Sequence, residues 1–238
     1  MPNILTFTMN TEIIETADGS FTLKNDIFGE TYHSINGAIS ESKHIFINLG
    51  LKNFQNSEIS ILEVGYGTGL NAIMTFIENQ QLGNKISYHS LELYPISSEN
   101  FLKYANASAE IMQNTSPQNL EKFCEYWNQD VQIDKNFSLY KQQVDFCEFV
   151  PSTTYDLVYF DAFSPETQPE MWSHGNLQKI VSSLKPNGYF VTYCCKGIVK
   201  QSLRDLGMVV KRFPGPKGKR HVIQASKPET SNGNTIQP

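Results

Sequence analysis

Ile59-Ser60-Ile61-Leu62-Glu63-Val64-Gly65-Tyr66-Gly67-Thr68-Gly69-Leu70-Asn71 is the stretch that decides the fold. It opens with a short apolar strand that ends in an acid, and residues 70–81 have the pattern of a helix that Gly83 closes. The three glycines between them permit a tight turn and let a ligand approach the backbone closely. Their G-x-G-x-G spacing differs from the G-x-G-x-x-G that a nicotinamide site prefers. An ordinary strand-to-helix turn is the alternative interpretation.

Strands alternate with helices beyond this stretch. Apolar segments predict further strands at residues 86–92, 138–142, 155–161, 189–195, 208–212 and 221–225. Helical patterns lie at residues 97–109, 117–127, 175–184 and 197–206. This alternation predicts an α/β fold, in which a doubly wound, mainly parallel sheet carries helices on both faces.

The first fifty residues have a different pattern. Residues 12–16 and 20–24 flank Asp18-Gly19, which is a hairpin turn signal, and residues 38–49 have a helical apolar face. We therefore predict an N-terminal β and helix appendage at residues 1–50 and the sheet domain at residues 51–226. Residues 227–238, rich in Ser, Asn, Thr and Pro, are predicted to be a disordered tail.

The composition excludes several classes of protein. The chain has 238 residues, a net charge of −5 and no apolar run long enough to cross a bilayer. Its four cysteines form no C-x-x-C pair, so the sequence predicts neither a metal site nor a redox motif. The N-terminus lacks the pattern of a signal peptide, and we predict a cytoplasmic protein without membrane contact.

Acidic residues end three of the predicted strands. They are Glu63, Glu92 and Asp161. Ligands on a parallel sheet bind beyond the carboxyl ends of its strands, so these acids are candidates for one site. Glu92 can take both hydroxyls of a ribose, and Asp145, which follows the next strand, can meet an adenine amino group. A solvent-facing acid at the end of a strand is the alternative for Glu92.

A proline-rich loop from Asp161 to Trp172 follows the strand at residues 155–161. In methyl transfer to nitrogen the amine must present a lone pair, and a primary amine is largely protonated at neutral pH. Asp161 can accept that proton or orient the neutral amine. Phe163 and Trp172 either line a substrate pocket and stack on a base or belong to the core.

A basic run follows near the end of the chain. Residues 211–221 read K-R-F-P-G-P-K-G-K-R-H, with five basic residues and no acid. A solvated loop and a contact with phosphate are the two interpretations. The net charge of −5 meanwhile argues against non-specific coating of nucleic acid.

These motifs together resemble the methyltransferase component of tRNA 5-methylaminomethyl-2-thiouridine synthesis, the MnmC/MnmD family. The resemblance extends from about Asp18 to Ala225. The matching motifs are Asp18-Gly19-Ser20 with Thr22-Leu23, Tyr32-His33-Ser34 with Gly37-Ala38, Glu41, His44, the glycine turn, the Asp161 loop with Pro169-Glu170-Met171-Trp172, and Pro214-Gly215-Pro216 with Gly218-Lys219-Arg220. The Asp161 loop and the Tyr32 to Glu41 motif are more specific than the glycine turn.

The resemblance implies a class I methyltransferase fold, Rossmann-like, that uses S-adenosyl-L-methionine. It implies N-methylation of the 5-aminomethyl group on a wobble uridine in the anticodon stem-loop of tRNA, giving 5-methylaminomethyl-(2-thio)uridine. In bifunctional relatives a flavin-dependent oxidase domain follows, and we expect this chain to lack it. Such an enzyme would need aminomethyl-uridine tRNA made by other enzymes.

The resemblance also assigns candidate site residues. Those expected at the methyl donor are Glu63, Gly65, Tyr66, Gly67, Thr68, Gly69, Asn71, Glu92 and Asp145. Those expected at the substrate are Tyr32, Glu41, Phe163, Pro165, Trp172, Lys217, Lys219 and Arg220, and Asp161 is expected to be catalytic. Tyr66 stands where the family usually has phenylalanine. Gln168 stands where it usually has asparagine, so a hydrogen bond from that position is not carried over.

Two other functions remain open at this level. An aminopropyltransferase of the spermidine-synthase type shares the fold, the glycine turn and an amine substrate. A methyltransferase-like fold that only binds RNA is the second alternative, although Glu92 and Asp161 argue against it. Activity with each donor, and donor binding itself, distinguish the three.

Overall fold

A computed structural model describes residues 11–25 and 28–229 of the chain. Its strands are β1 (Thr11–Glu15), β2 (Phe21–Asn25), β3 (Glu58–Val64), β4 (Lys85–Glu92), β5 (Asp130–Asp134), β6 (Phe137–Gln143), β7 (Tyr155–Phe160), β8 (Leu184–Thr192), β9 (Val209–Pro214) and β10 (His221–Ser226). Its α-helices are α1 (Ala38–Ser42), α2 (Leu70–Leu82), α3 (Ser98–Ala107), α4 (Ala109–Met112), α5 (Pro117–Cys124), α6 (His174–Ser183) and α7 (Gly197–Asp205). A π-helical segment (Lys43–Asn48) and two 3₁₀ turns (Leu51–Asn53 and Pro169–Trp172) accompany them.

Eight strands form the central sheet in the order β5-β6-β4-β3-β7-β8-β10-β9. The five strands from β6 to β8 in this order are parallel, whereas β5, β10 and β9 each pair antiparallel. From β3 the chain proceeds to β4 and β6 on one side, and from β7 it proceeds to β8 on the other. The switch point therefore lies between β3 and β7. The predicted α/β fold with a doubly wound sheet is confirmed.

The core follows from the composition of the central strands. Ile61 and Leu62 on β3 point to opposite faces of the sheet, and both are fully buried, as are Leu157 and Val158 on β7. Burial on both faces is typical of parallel strands that helices cover on each side. Central strands held in this way make a rigid base for the loops at their carboxyl ends.

The N-terminal hairpin forms as predicted. β1 and β2 pair antiparallel on either side of Asp18-Gly19, where Gly19 has a φ of 78°. The Asp18 carboxylate accepts hydrogen bonds from the backbone N–H of Ser20, at 3.1 Å, and of Ser40, at 3.0 Å. The hairpin turn is thereby joined to α1. The helix predicted at residues 38–49 begins at residue 38, but its second half is π-helical.

Two strands differ from the sequence predictions. β5 was not predicted, although its five residues alternate polar and apolar side chains, which is the pattern of a half-buried strand. β8 spans Leu184–Thr192, so it begins before the strand predicted at residues 189–195 and runs through Pro186-Asn187-Gly188, residue types that favour a turn. Asn187 has a φ of 62°, and the β7–β8 register shifts between Tyr155 and Leu157. The turn-forming residues therefore produce an irregularity within the strand.

No helix in residues 11–25 and 28–229 is long and apolar enough to cross a membrane. The domain boundaries after residues 50 and 226 stay predictions. Residues 230–238 of the predicted disordered tail, and residues 1–10 of the predicted appendage, lie outside the described residues.

Candidate functional site

A cavity of about 710 Å³ lies at the carboxyl ends of the parallel strands. Val64 at the end of β3, Leu91 on β4, Val144 after β6 and Ala162 after β7 all line it. Open α/β sheets bind ligands at this position, beyond the switch point. The volume lies within the range of about 300–1,000 Å³ that is typical of small-molecule sites.

The glycine turn forms one wall of the cavity. Gly65 and Gly67 have φ values of 91° and 51°, in the left-handed region that favours glycine. A Cβ on Gly65 would lie 2.6 Å from the backbone oxygen of Asp161, and one on Gly67 would lie 2.7 Å from the Tyr32 ring. Side chains are thus excluded from these two positions, because the turn packs between the end of β7 and the N-terminal segment (residues 28–41).

Glu92 places a carboxylate beside this turn. Its Oε2 accepts the backbone N–H of Gly67 at 3.0 Å, and its Oε1 accepts that of Tyr94 at 2.9 Å. Burial raises the pKa of the Glu92 carboxyl, and the backbone hydrogen bonds oppose that rise. Each carboxylate oxygen can accept more than one hydrogen bond, so Glu92 can still receive two ligand hydroxyls.

Asp161 lines the cavity directly after β7. Its Oδ2 accepts a hydrogen bond from Asn71 Nδ2 at 2.8 Å. Burial and then the negative charge of Glu41 raise the pKa of the Asp161 carboxyl to about 7, against the opposing effects of Asn71 and Lys219. A carboxyl with such a pKa can accept a proton at neutral pH and release it again.

Glu41 and Lys219 form an ion pair on the cavity wall. Glu41 Oε2 also accepts the backbone N–H of Ser34 at 3.0 Å, and Lys219 Nζ lies 4.1 Å from the centroid of the Tyr193 ring. The Tyr193 hydroxyl donates to the backbone oxygen of Ala162 at 2.8 Å. The N-terminal segment and the loop between β9 and β10 therefore meet next to Asp161.

Aromatic rings form the facing wall. The Phe163 ring centroid lies 4.9 Å from that of Phe28 and 5.5 Å from that of Tyr32, and Phe28 lies 6.2 Å from Tyr94. All four residues line the cavity. Exposed aromatic faces at the edge of a cavity suit a flat heterocyclic ligand.

The N-terminal segment is attached to both loops of the site. His33 Nε2 lies 2.7 Å from Thr68 Oγ1 in the glycine turn. Burial, and secondarily Lys219, lower the pKa of His33 to about 4, so the ring is neutral at physiological pH. Glu30 Oε1 accepts hydrogen bonds from the hydroxyls of Ser164, at 2.9 Å, and of Thr167. The segment thus completes the cavity and fixes the loop that carries Phe163.

Most of the residues predicted for the site lie at the cavity. Those on its lining are Tyr32, Glu41, Gly65, Tyr66, Gly67, Glu92, Asp145, Asp161, Phe163 and Lys219. Gln168, which departs from the family pattern, also lines it. Asp145 Oδ1 accepts the backbone N–H of Cys147 at 2.8 Å. In the described part of the chain, no three His, Cys, Asp or Glu residues come together as metal ligands.

Trp172, predicted either to line the substrate pocket or to belong to the core, lies in the core and is not on the cavity lining. Its ring centroid lies 4.8 Å from that of Phe160, and its Nε1–H donates to the backbone oxygen of Phe163 at 2.8 Å. It therefore supports the loop from beneath, as the core interpretation of this residue expects. Pro165, Lys217 and Arg220 are likewise not brought to the cavity lining.

Four predicted donor residues lie behind the wall, and they are Glu63, Thr68, Gly69 and Asn71. Glu63 is fully buried, and its Oε2 accepts the Ser90 hydroxyl at 2.7 Å. Burial raises the pKa of Glu63 to about 8. Its Oε1 has no hydrogen-bond partner among the described residues, which is consistent with a neutral carboxylic acid.

Sequence reasoning did not assign roles to Phe28, Glu30, His33, Tyr94 and Tyr193. Tyr94 carried a usable signal, since it follows a strand-end acid by two residues. Phe28 and Glu30 carried none, because they lie in the loop after a hairpin that has no pattern linking it to the sheet.

Comparison with known proteins identifies the family. Residues 105–228, just over half of the chain, match a family model described as S-adenosyl-L-methionine-dependent methyltransferase. The chain is 26% identical over 235 residues to the tRNA 5-methylaminomethyl-2-thiouridine biosynthesis bifunctional protein MnmC of Aeromonas hydrophila, covering 89% of this chain and 35% of that protein. It is 28% identical over 226 residues to the protein of the same name from Leptospira interrogans, covering 89% and 34%. The chain spans about a third of the length of these curated relatives.

Two solved structures cover most of the chain. The crystal structure of MNMC2 from Aquifex aeolicus is 29% identical with a TM-score of 0.71, covering 93% of this chain and 73% of that one. Spermidine synthase from Thermotoga maritima is 15% identical with a TM-score of 0.62, covering 93% and 70%, a likeness that concerns the fold alone. Because the family model covers more than half of the chain and the fold agrees with it, the chain belongs to the S-adenosyl-L-methionine-dependent methyltransferases.

Proposed function

We propose that this chain methylates the 5-aminomethyl group of a wobble uridine in tRNA, giving 5-methylaminomethyl-(2-thio)uridine. The observation that carries the proposal is Asp161, a half-buried carboxyl with a pKa raised to about 7, on a cavity between the glycine turn and an aromatic wall. Similarity to MnmC over 89% of the chain, and to MNMC2 over 93%, supports the tRNA substrate.

The residues at the glycine turn fit S-adenosyl-L-methionine. Gly65 and Gly67 line the cavity, and the Glu92 carboxylate beside this turn suits the two ribose hydroxyls. Asp145, also on the cavity lining, is suited to an adenine amino group. When bound, the sulfonium supplies an activated methyl group, so the protein has only to position the acceptor nitrogen.

Asp161 is the group we assign to the acceptor amine. In its ionised form it accepts a proton from the ammonium form, which exposes the nitrogen lone pair, or from the nitrogen during the transfer. A bound S-adenosyl-L-methionine would supply the methyl group to that lone pair. Asp161 takes no part in bond formation at carbon, so its contribution is orientation and proton acceptance.

The aromatic wall is suited to the base of the acceptor nucleotide. Phe163 and Tyr32 present rings at the cavity, and protein aromatics commonly stack on unpaired RNA bases. A wobble base extruded from its loop would bring the 5-substituent toward Asp161. The anticodon stem-loop is therefore the part of tRNA we propose as the partner.

Methyl transfer by wild type and by Asp161→Asn tests the proposal. The substrate is tRNA that carries 5-aminomethyl-uridine, and the product is identified by nucleoside mass spectrometry. We expect a methylated nucleoside with wild type and a loss of about 10²–10⁴-fold in kcat with the variant, at unchanged donor affinity. Transfer within a few-fold of wild type would show that Asp161 is only structural.

Assays with other substrates, and binding measurements, separate the two alternative functions from this one. Activity with decarboxylated S-adenosylmethionine and a polyamine, but not with tRNA, would indicate an aminopropyltransferase. Binding of tRNA without measurable donor binding would indicate a non-catalytic RNA-binding protein. The likeness to spermidine synthase supports neither, because at 15% identity it concerns only the shared fold.

A further inference from the structure

Asp161 is held by a buried chain of two hydrogen bonds that begins outside the glycine turn. Ser42, the last residue of α1, donates from Oγ to Asn71 Oδ1 at 2.5 Å. Asn71, in the first turn of α2, donates from Nδ2 to Asp161 Oδ2 at 2.8 Å. Ser42 and Asn71 are 2% and 3% exposed, so water does not compete for the bond between them, whereas the second bond ends on Asp161 at the cavity.

This arrangement determines which carboxylate oxygen is available. Asn71 engages Oδ2, while Oδ1 of Asp161 accepts no hydrogen bond from the described residues. A carboxylate can only accept, so its presence directs the Nδ2 end of the Asn71 amide toward it. The Asn71 Oδ1 then needs a donor, and the Ser42 hydroxyl is that donor.

We propose that Ser42 is a positioning residue that fixes the Asn71 amide and thereby presents Oδ1 of Asp161 to the acceptor amine. Its value for catalysis rests on the proposed function, in which Asp161 accepts a proton. Ser42 touches neither ligand and acts only through Asn71. Without its hydroxyl, Asn71 loses the bond that holds its amide plane, and the carboxyl of Asp161 loses its fixed orientation.

Four other titratable groups also face Asp161 and influence its titration. Glu41 comes from α1, Lys219 from the loop between β9 and β10, Glu63 from β3 and Tyr193 from the end of β8. Glu41 raises the pKa of Asp161, and Lys219 lowers it. None of these groups bonds to the Ser42 side chain, so a variant at Ser42 leaves all four in place.

A double-mutant cycle on the pKa of Asp161 tests the inference without requiring turnover. The pKa is read by ¹³C NMR of labelled aspartate carboxyls, with the resonance assigned by Asp161→Asn. Ser42→Ala should raise the pKa of Asp161 by about one unit, because a loosened Asn71 stabilises the ionised form less. Asn71→Ala should raise it at least as much, and adding Ser42→Ala to Asn71→Ala should then change nothing.

Activity gives the second readout. Ser42→Ala should lower kcat about tenfold with donor affinity unchanged, and Ser42→Thr, which keeps a hydroxyl, should restore both kcat and the pKa. Ser40→Ala, on an exposed position of the same helix, is the matched control and should behave as wild type. The inference would be overturned if Ser42→Ala shifted the pKa of Asp161 equally in wild type and in Asn71→Ala, or if it did not shift that pKa at all. Absence of tRNA methylation with the predicted cycle intact would instead count against the proposed function.

Discussion

Glu92 shows how one strand-end carboxylate can organise a donor site. It accepts two backbone N–H groups, one of them from the glycine turn, and so connects the end of β4 to that turn. We predict that Glu92→Ala weakens S-adenosyl-L-methionine binding by roughly 1.5–3 kcal/mol, because charge-assisted hydrogen bonds are removed. Calorimetry measures this, with Glu92→Gln as the matched variant that keeps one acceptor oxygen and should lose less. Wild-type affinity in Glu92→Ala would exclude Glu92 from the donor site.

Glu63 is predicted to reduce stability as pH rises. Its pKa is raised from 4.5 to about 8 by burial, so in the folded protein it stays protonated where the unfolded chain is ionised. A raised pKa gives stability that is complete below pH 4.5 and is lost as pH rises toward 8. Glu63→Gln removes this dependence. The unfolding free energy of the variant relative to wild type should therefore increase by up to about 1.4 kcal/mol for each pH unit of rise across that window. Urea unfolding at several pH values measures it, and parallel curves would contradict the assignment.

At the scale of residues, the sequence predicts what a strand end dictates. Glu92 and Asp161 could be placed because the carboxyl ends of parallel strands meet at one edge of a sheet. The position of Trp172 could not be predicted, since the sequence does not distinguish an aromatic residue that packs in the core under a loop from one that lines the cavity. The Glu41–Lys219 pair needed the fold, because 178 residues separate the partners in sequence.

Among the elements, the glycine turn and α5 are joined through Tyr66, where the family usually has phenylalanine. The Tyr66 hydroxyl donates to the backbone oxygen of Phe123 at 2.6 Å, close to the end of α5. Lys141 Nζ donates to the same oxygen at 2.6 Å and lies 5.3 Å from the centroid of the Tyr66 ring. The extra hydroxyl therefore bonds to an oxygen that Lys141 already satisfies.

We predict that Tyr66→Phe costs only about 0.5–1.5 kcal/mol of unfolding free energy. The Phe123 oxygen keeps its bond from Lys141, so no buried acceptor is left unpaired. Donor affinity should be unchanged. Lys141→Met is the comparison, since it removes the two bonds that Lys141 Nζ donates to the backbone oxygens of Phe123 and Cys124 and should cost more. A larger loss for Tyr66→Phe than for Lys141→Met would show that the hydroxyl is the main link.

The elements were predictable to different degrees. The hairpin, the central strands and helix α2 were predicted because turn residues and apolar periodicity act locally. β5 was missed although its alternating residues carry the strand pattern, and only the structure shows that it pairs with β6 at the edge of the sheet. The attachment of the N-terminal segment to the site, through His33 and Glu30, depends on tertiary contacts that no local pattern encodes.

For the whole molecule, we propose that the basic run at residues 211–221 reconciles a net charge of −5 with the proposed tRNA substrate. Lys211, Arg212, Lys217 and Arg220 are exposed, whereas Lys219 turns inward to the cavity. We predict that Lys217→Ala with Arg220→Ala lowers the salt slope of tRNA binding by about 0.7–0.9 for each phosphate that the protein no longer neutralises. Catalysis at saturating tRNA should be unchanged, because neither residue lines the cavity.

The control for this prediction removes the same charge elsewhere. Lys85→Ala with Lys103→Ala deletes two exposed lysines on other elements, β4 and α3. Only the first pair should change the slope when affinity is measured against salt concentration. An equal change of slope in both double variants would show that the effect is one of net charge. No change of slope in either would leave residues 211–221 as a solvated loop.

The ion pair between Glu41 and Lys219 also has a consequence for synthesis on the ribosome. A nascent chain presents α1 to the solvent long before Lys219 has been translated, so Glu41 lacks this counter-ion during most of elongation. Both contribute to the cavity wall, which therefore cannot close until the hairpin of β9 and β10 has emerged. A stalled chain that ends at Pro216 should fold much of its sheet yet fail to methylate aminomethyl-uridine tRNA, whereas one extended past Ser226 by a linker should methylate it. The enzyme would then acquire its substrate pocket as one of the last events of its own production.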